Sequence, residues 1–270
     1  CGRNFEYFSE DPYLAGEMAK AYIDGLQSRG VGASVKHFML NNQEARRMSV
    51  NVAVDERALH EIYMPAFHRA IRDARPWTVM CSYNKIDHVY ASENEWLLRD
   101  LLRGEWGFTG CTVTDWGACN DHVAGVRACM DLEMPSVSPE SGDRLIAAVQ
   151  KGEIEEKYVD EAALRVLELT NKYLDGKKAG EAGDLEANHH LARRLARECA
   201  VLLKNEGGLL PLSANQRTVF IGEFAERPRY EGGGSSHVHS ARITSALQAV
   251  RGVAHVSYAR GYDAESDESD

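Results

Sequence analysis

No pair of cysteines in this 270-residue chain has C-x-x-C spacing, no basic excess is present, and no apolar run approaches the length of a membrane span. Each absence excludes a class of function. Without close cysteine pairs a structural zinc site is not expected. Lysine and arginine total 31 against 41 aspartates and glutamates, a net charge of −10, whereas a nucleic-acid partner asks for a basic face. A transmembrane helix needs about 20 consecutive apolar residues, so no membrane partner is expected either. The close histidine groupings, His189-His190 and His237/His239, lack the carboxylate framework of a metal site. No metal and no cofactor is therefore expected. The chain also lacks an initiating methionine, opening on Cys1, and it closes on an acidic run, so both ends read as cut and the missing start hides any secretory signal. Of the six cysteines, Cys81 and Cys111 sit in apolar strand-like runs, where the side chain acts as a small buried hydrophobe. All six, Cys199 included, are read as reduced structural thiols, which leans towards a cytoplasmic protein.

What is present is the composition of an ordinary soluble globular protein, 44% apolar and 27% charged. The pattern is strands alternating with helices. Asp11-Pro12 opens a helix that stops at Gly30, and Gly32 to Phe38 reads as a buried strand. A polar loop, Asn41 to Arg47, is followed by an extended run from Ser49 to Val54. Asp55 caps a long helix reaching Ala74, with Leu59, Ile62, Tyr63, Ala66, Phe67 and Ala70 on one face. Trp77 to Ser82 is the next strand. Ser92 and Glu95 have capping-box spacing before a helix, Cys111 to Thr114 is a strand, and Asp121 to Cys129 is a helix leading to Leu132–Met134. That rhythm implies parallel β/α architecture. A closed (β/α)8 barrel needs eight strands, so about half of one is expected upstream of Cys1. Two helices, near 142–151 and 160–173, follow. Residues 1–174 are read as the C-terminal part of a barrel, the glycine- and charge-rich 175–185 as a linker, and 186–270 as the start of an α/β sandwich: a helix from 186 to 204, strands at 217–222 and 254–258, and a helix from Ser240 to Val250.

The candidate chemistry lies at strand ends, the face where barrel enzymes bind substrate. Asp115 closes its strand and precedes Trp116, whose ring suits the apolar face of a sugar; a carboxylate there could attack an anomeric carbon, or simply cap the next helix. Lys36-His37 ends another strand and can bind hydroxyls, or be a surface lysine beside a packed histidine. Arg47 follows in the polar loop, and Tyr83 ends a third strand. No single motif is specific; the convergence at one mouth is. The glycine-rich run at 232–236 lacks the Lys-Ser/Thr ending of a phosphate loop and the third glycine of a dinucleotide fingerprint.

Taken together, GRNFEYFSEDP, VKHF, NNQEARR, MCSYNKID, WGFTGCTVTDWGA, DLEMP, VLLKNEGGLLPL and GEFAERPRYEGGGSSHV resemble glycoside hydrolase family 3, in the family's order, from Gly2 to the acidic tail. The resemblance implies a (β/α)8 barrel followed by an α/β sandwich, with the site between them. It implies retaining hydrolysis of terminal β-D-glucosyl residues, with Asp115 as nucleophile and Arg3, Lys36, His37, Arg47, Tyr83, Trp116 and Ser235 holding the sugar. The glucosidase branch takes its acid/base glutamate from later in the second domain, beyond Asp270, so neither Glu226 nor Glu231 is assigned. The hexosaminidase branch carries Gly-His-Gly after Lys-His-Phe; Met39-Leu40-Asn41 stands here instead. The expected partner is a β-glucoside or oligosaccharide, with room for homo-oligomerisation; β-xylosidase and a non-catalytic sugar-binding homologue are the competing readings.

Overall fold

The computed structural model describes residues 4–136, 139–176, 183–231 and 234–262. The chain divides into two compact units, Cys1–Glu181 and Ala182–Asp270.

In chain order the strands of the first unit are β1 (Ser34–Phe38), β2 (Asn51–Val52), β3 (Thr78–Cys81), β4 (Lys85–Ile86), β5 (Val89–Tyr90) and β6 (Cys111–Val113). β1, β3 and β6 form a parallel sheet in that order. Ser34 lies opposite Thr78 and Phe38 opposite Cys81, with an irregularity between, while Thr78 pairs with Cys111 and Met80 with Val113. Val113 bridges in parallel to Leu132, so four segments lie side by side in chain order. Helical segments at 56–74, Trp96–Glu105 and His122–Arg127 make the crossovers. This is the α/β class read from the sequence.

Local chemistry explains most helix boundaries. Pro12 sits in the first turn of Pro12–Gln27, where its missing N–H costs nothing, and the Asp11 carboxylate accepts the Tyr13 N–H at 2.9 Å. Gly30, at φ 74°, turns the chain back towards β1. Asp55 accepts the Ala58 N–H at 2.9 Å and starts the helical run to Ala74, which contains widened turns at Leu59–Tyr63 and Ala70–Ala74. Pro65 follows the first of these, where a shifted ladder tolerates a residue without an N–H to give.

Several expectations are corrected. The capping box at Ser92 and Glu95 does not form: the Asn94 carboxamide oxygen accepts the Leu97 N–H at 3.0 Å, and the Ser92 hydroxyl donates to the Ala118 carbonyl at 2.8 Å. Ser92 is fully buried, so a tertiary acceptor outcompetes the local one. The β4–β5 hairpin carries no glycine signal; Asp87 and His88 adopt φ 49° and 68°, the left-handed pair such a tight turn requires. Leu132 contributes a single bridge rather than a strand. The helix read to residue 204 ends at Glu198, and the one read from Ser240 begins at Ala246, where Ser245 and Gln248 form a reciprocal capping box.

The core of the first unit gathers Phe38, Met39, Val79, Leu97, Leu98, Leu102 and Met130, all fully buried. Phe38 meets Phe67 and Trp106 edge-on, at centroid separations of 5.2 and 5.7 Å. Beside it lies a buried ionic network. Asp131 is sealed from solvent and accepts from Thr112 N–H (2.8 Å), the Thr112 hydroxyl (3.0 Å), Arg103 (2.5 Å) and Arg165 (2.9 Å).

The described cysteines are free; Cys81, Cys111 and Cys129 are buried, Cys119 is half-buried, and Cys199 is exposed, against its reading as a structural thiol. Burial first, then the Asp131 charge, pushes the Cys81 and Cys111 thiols up to about 12. Because thiolate is the reactive species, a maleimide at neutral pH should modify Cys199 within minutes and Cys81, Cys111 and Cys129 only after unfolding. Peptide mass spectrometry reads this; rapid modification of Cys81 in folded protein would contradict the packing.

In the second unit, β7 (Thr218–Ile221) and β8 (Val256–Ala259) pair in parallel, Thr218 opposite Val256, with helix Ala246–Val250 in the crossover. Asp184 caps helix Leu185–Glu198 through the Glu186 and Ala187 N–H groups, and Glu186 pairs with Arg242 at 2.8 Å. Among the described residues, no helix is long and apolar enough to cross a membrane.

Candidate active site

Hydrogen bonds continue past the ends of the regular strands. Ser82 N–H donates to Phe38 (2.9 Å), Asp115 N–H to Cys81 (3.2 Å), Thr114 N–H to Leu132 (3.0 Å) and Gly117 N–H to Met134 (2.7 Å). These bonds bring His37, Tyr83 and Asp115 to the carboxyl ends of adjacent parallel strands.

His37 Nε2 stands 3.4 Å from Asp115 Oδ2, with the two side chains only 4% and 15% exposed. The other carboxylate oxygen, Oδ1, accepts the Trp116 N–H at 2.7 Å. Asp115 does not cap the next helix. That role belongs to Asp121, which accepts the Ala124 N–H at 3.1 Å. The Asp115 carboxylate is thus sheltered and oriented, with one oxygen held by the backbone and the other beside an imidazole.

Around it the Tyr83 hydroxyl donates to the Trp116 carbonyl at 2.8 Å, and the Arg47 guanidinium lies 4.9 Å from the Tyr83 ring centroid. Trp116 presents an exposed ring. His37, Arg47, Tyr83, Asp115 and Trp116 therefore form one connected group. Lys36 is exposed and lines, with His37, a cavity of about 300 Å³ walled by Tyr7, Phe8, Tyr63 and Phe67, of which Asp115 is not a wall. Arg3 lies outside the described residues, as do two glycines of the loop before Ser235. Ser235 is exposed in the short helical turn Gly234–Ser236. Glu231, just ahead of that loop, accepts the Val238 N–H at 2.5 Å and contacts His237 Nδ1 at 2.7 Å; the Val238 bond first, then His237, holds its carboxyl below the usual range.

Sequence reasoning missed the supports of the Asp115 turn. Ser92, read as a helix cap, holds the Ala118 carbonyl, and Thr114 Oγ1 accepts the Met134 N–H at 2.8 Å. Neither contact carries a spacing signal, because the partners lie 26 and 20 residues apart.

The family models match almost end to end: the glycosyl hydrolase family 3 N-terminal domain over residues 1–169 and the C-terminal domain over residues 200–268. The chain belongs to glycosyl hydrolase family 3. It is 46% identical over 271 residues to thermostable beta-glucosidase B of Acetivibrio thermocellus, covering 99% of this chain and 36% of that protein. It is 43% identical over 281 residues to an exo-alpha-(1->6)-L-arabinopyranosidase of Bifidobacterium longum, covering 100% of this chain and 37% of that protein. Among solved family 3 structures, the Bifidobacterium adolescentis beta-glucosidase superposes with a TM-score of 0.90 at 44% identity, covering 100% of this chain and 40% of that one. Beta-glucosidase 3B of Thermotoga neapolitana, solved with alpha-D-glucose, gives 0.87 at 38% identity, covering 95% and 37%. The chain spans little more than a third of the length of the curated relatives it matches.

Proposed function

We propose that the complete family 3 protein is a retaining β-glucosidase acting on terminal non-reducing β-D-glucosyl residues, with Asp115 as its nucleophile. The observation that carries this is the sheltered Asp115 carboxylate at a parallel strand end, 3.4 Å from His37. The side-by-side parallel order of β1, β3, β6 and Leu132 supports reading the first unit as part of a (β/α)8 barrel. The parallel β7–β8 pair with its crossover helix supports the second as the start of an α/β sandwich.

The chemistry runs in two substitutions. The Asp115 carboxylate attacks the anomeric carbon as the aglycone oxygen leaves with a proton from an acid/base glutamate, a role given to none of the residues described. A glycosyl ester forms on Asp115, and water activated by that same glutamate then releases the sugar with its original configuration. His37, Lys36, Arg47 and Arg3 bind hydroxyls, Trp116 covers the ring, Tyr83 holds the Trp116 carbonyl, and Ser235 is a further hydroxyl-bearing candidate for the sugar.

The test is trapping. A 2-deoxy-2-fluoro-β-glucoside with a good leaving group should leave one fluoroglucosyl adduct, on the peptide containing Asp115. An adduct on any other carboxylate overturns the assignment.

The 43% identity to an arabinopyranosidase favours one second reading, a pentopyranosidase. Xylose and arabinopyranose both lack the hydroxymethyl group of glucose, and a site that hydrogen-bonds that hydroxyl disfavours a sugar without it. Comparing kcat/KM for aryl β-glucoside, β-xyloside and α-L-arabinopyranoside decides it. We expect the glucoside to lead; a faster pentoside would replace the substrate assignment while leaving Asp115 in place.

A further inference from the structure

Beyond the sugar-facing group, the turn after Asp115 carries a second cluster. Cys119, His122 and Glu133 each offer one donor atom, and these atoms all lie within 4.8 Å of one another. They come from three different places. Cys119 ends the turn, His122 opens the helix that Asp121 caps, and Glu133 follows the bridging residue Leu132. The cluster is partly sheltered, with the His122 and Glu133 side chains 19% and 7% exposed.

One nitrogen in it lacks a hydrogen bond. His122 Nδ1 is sealed from solvent and stands 2.6 Å from Glu133 Oε2, yet the pair is too poorly aligned to count as a hydrogen bond, and this nitrogen has no other partner. The Glu133 carboxylate also takes a bond from the Cys119 thiol and a long one, 3.5 Å at Oε2, from the Ser141 hydroxyl. Burial first, and then the Glu133, Glu93 and Asp121 carboxylates, push the Cys119 thiol up to about 12. Carboxylates of Glu133, Glu93 and Asp121 thus stand around the thiol.

We propose that Cys119, His122 and Glu133 form a binding site for a divalent cation of the zinc class. The donor set is one sulfur, one imidazole nitrogen and one carboxylate oxygen, which suits Zn2+ with water in the fourth position. Calcium and magnesium are poor candidates, since both seek six or more oxygens in a full shell. At Zn–ligand distances of about 2.0–2.3 Å, tetrahedral donors stand roughly 3.3–3.8 Å apart. The His122–Glu133 contact, at 2.6 Å, must open by under an ångström, and Cys119 Sγ starts within 4.8 Å of both partners. Binding displaces the thiol proton to solvent, and the bound cation stabilises the thiolate that the carboxylates disfavour. The proposal is independent of the glycosidase reading.

The test uses the tag-free full-length protein. Titration with zinc chloride by calorimetry at neutral pH should show one saturable site. Cys119→Ser and His122→Ala should each weaken it at least tenfold, and Cys199→Ser should leave it unchanged. Cobalt chloride should give a near-ultraviolet sulfur-to-metal charge-transfer band in the unmutated protein, absent in Cys119→Ser. A site that survives Cys119→Ser, a site lost in Cys199→Ser, or no charge-transfer band in the unmutated protein overturns the proposal. The band is read without any substitution, so a variant that fails to fold does not remove the test.

Discussion

Asp115→Ala in the full-length protein should lower kcat/KM for an aryl β-glucoside by a factor on the order of 10⁴ or more. The argument is covalent. A retaining mechanism needs an atom that becomes bonded to the anomeric carbon, and alanine supplies none. The loss should fall on kcat, because the proposed hydroxyl-binding groups His37, Lys36 and Arg47 remain. Binding of glucose itself should change far less, which distinguishes a lost nucleophile from a collapsed site. The replacement also leaves His37 Nε2 without the carboxylate that stands 3.4 Å away, so Asp115→Asn, which keeps an oxygen and the Trp116 contact, is the control for local packing. Turnover of Asp115→Ala within tenfold of the unmutated protein would remove this residue from the mechanism.

The second large effect is on stability. Asp131→Ala should destabilise the fold by about 3–5 kcal/mol, because it strands buried guanidinium groups rather than merely deleting a bond. Arg103 and Arg165 are 10% and 17% exposed and both point at this carboxylate, which is itself 0% exposed. Burial lowers the Arg103 pKa, showing how poorly its charge is solvated there. The same carboxylate also holds Thr112 in β6, three residues before Asp115. Urea denaturation followed by tryptophan fluorescence measures the loss. Glu61→Gln, which breaks the solvated Arg57–Glu61 pair, serves as contrast and should change stability by less than about 0.5 kcal/mol. Equal effects from the two substitutions would show that Asp131 is not the keystone of a dry network.

The regular alternation of strand and helix was legible because its cues are local. Asp11-Pro12, Asp55 and Asp121 each announce a helix start by a carboxylate that accepts an N–H two or three residues on. The grouping of His37, Tyr83 and Asp115 was legible too, since neighbouring parallel strands present their carboxyl ends together. What sequence could not show is what depends on partners distant in the chain. Ser92 had a capping signal, but a carbonyl 26 residues away took its hydroxyl. The β4–β5 turn at Asp87-His88 lacks glycine, and only its pairing with β2 explains why the strained residues stay in place. The Cys119–His122–Glu133 cluster had one hint, a Cys-x-x-His spacing, but its third member reaches it only through the Val113–Leu132 bridge.

The turn after Asp115 is fastened through its main chain. Tyr83 grips the carbonyl of Trp116, Met134 receives the N–H of Gly117, and Ser92 grips the carbonyl of Ala118. Anchorage and recognition are therefore written in different atoms. If Trp116 covers the sugar as proposed, its side chain can be exchanged without loosening the peptide groups that hold the Asp115 turn.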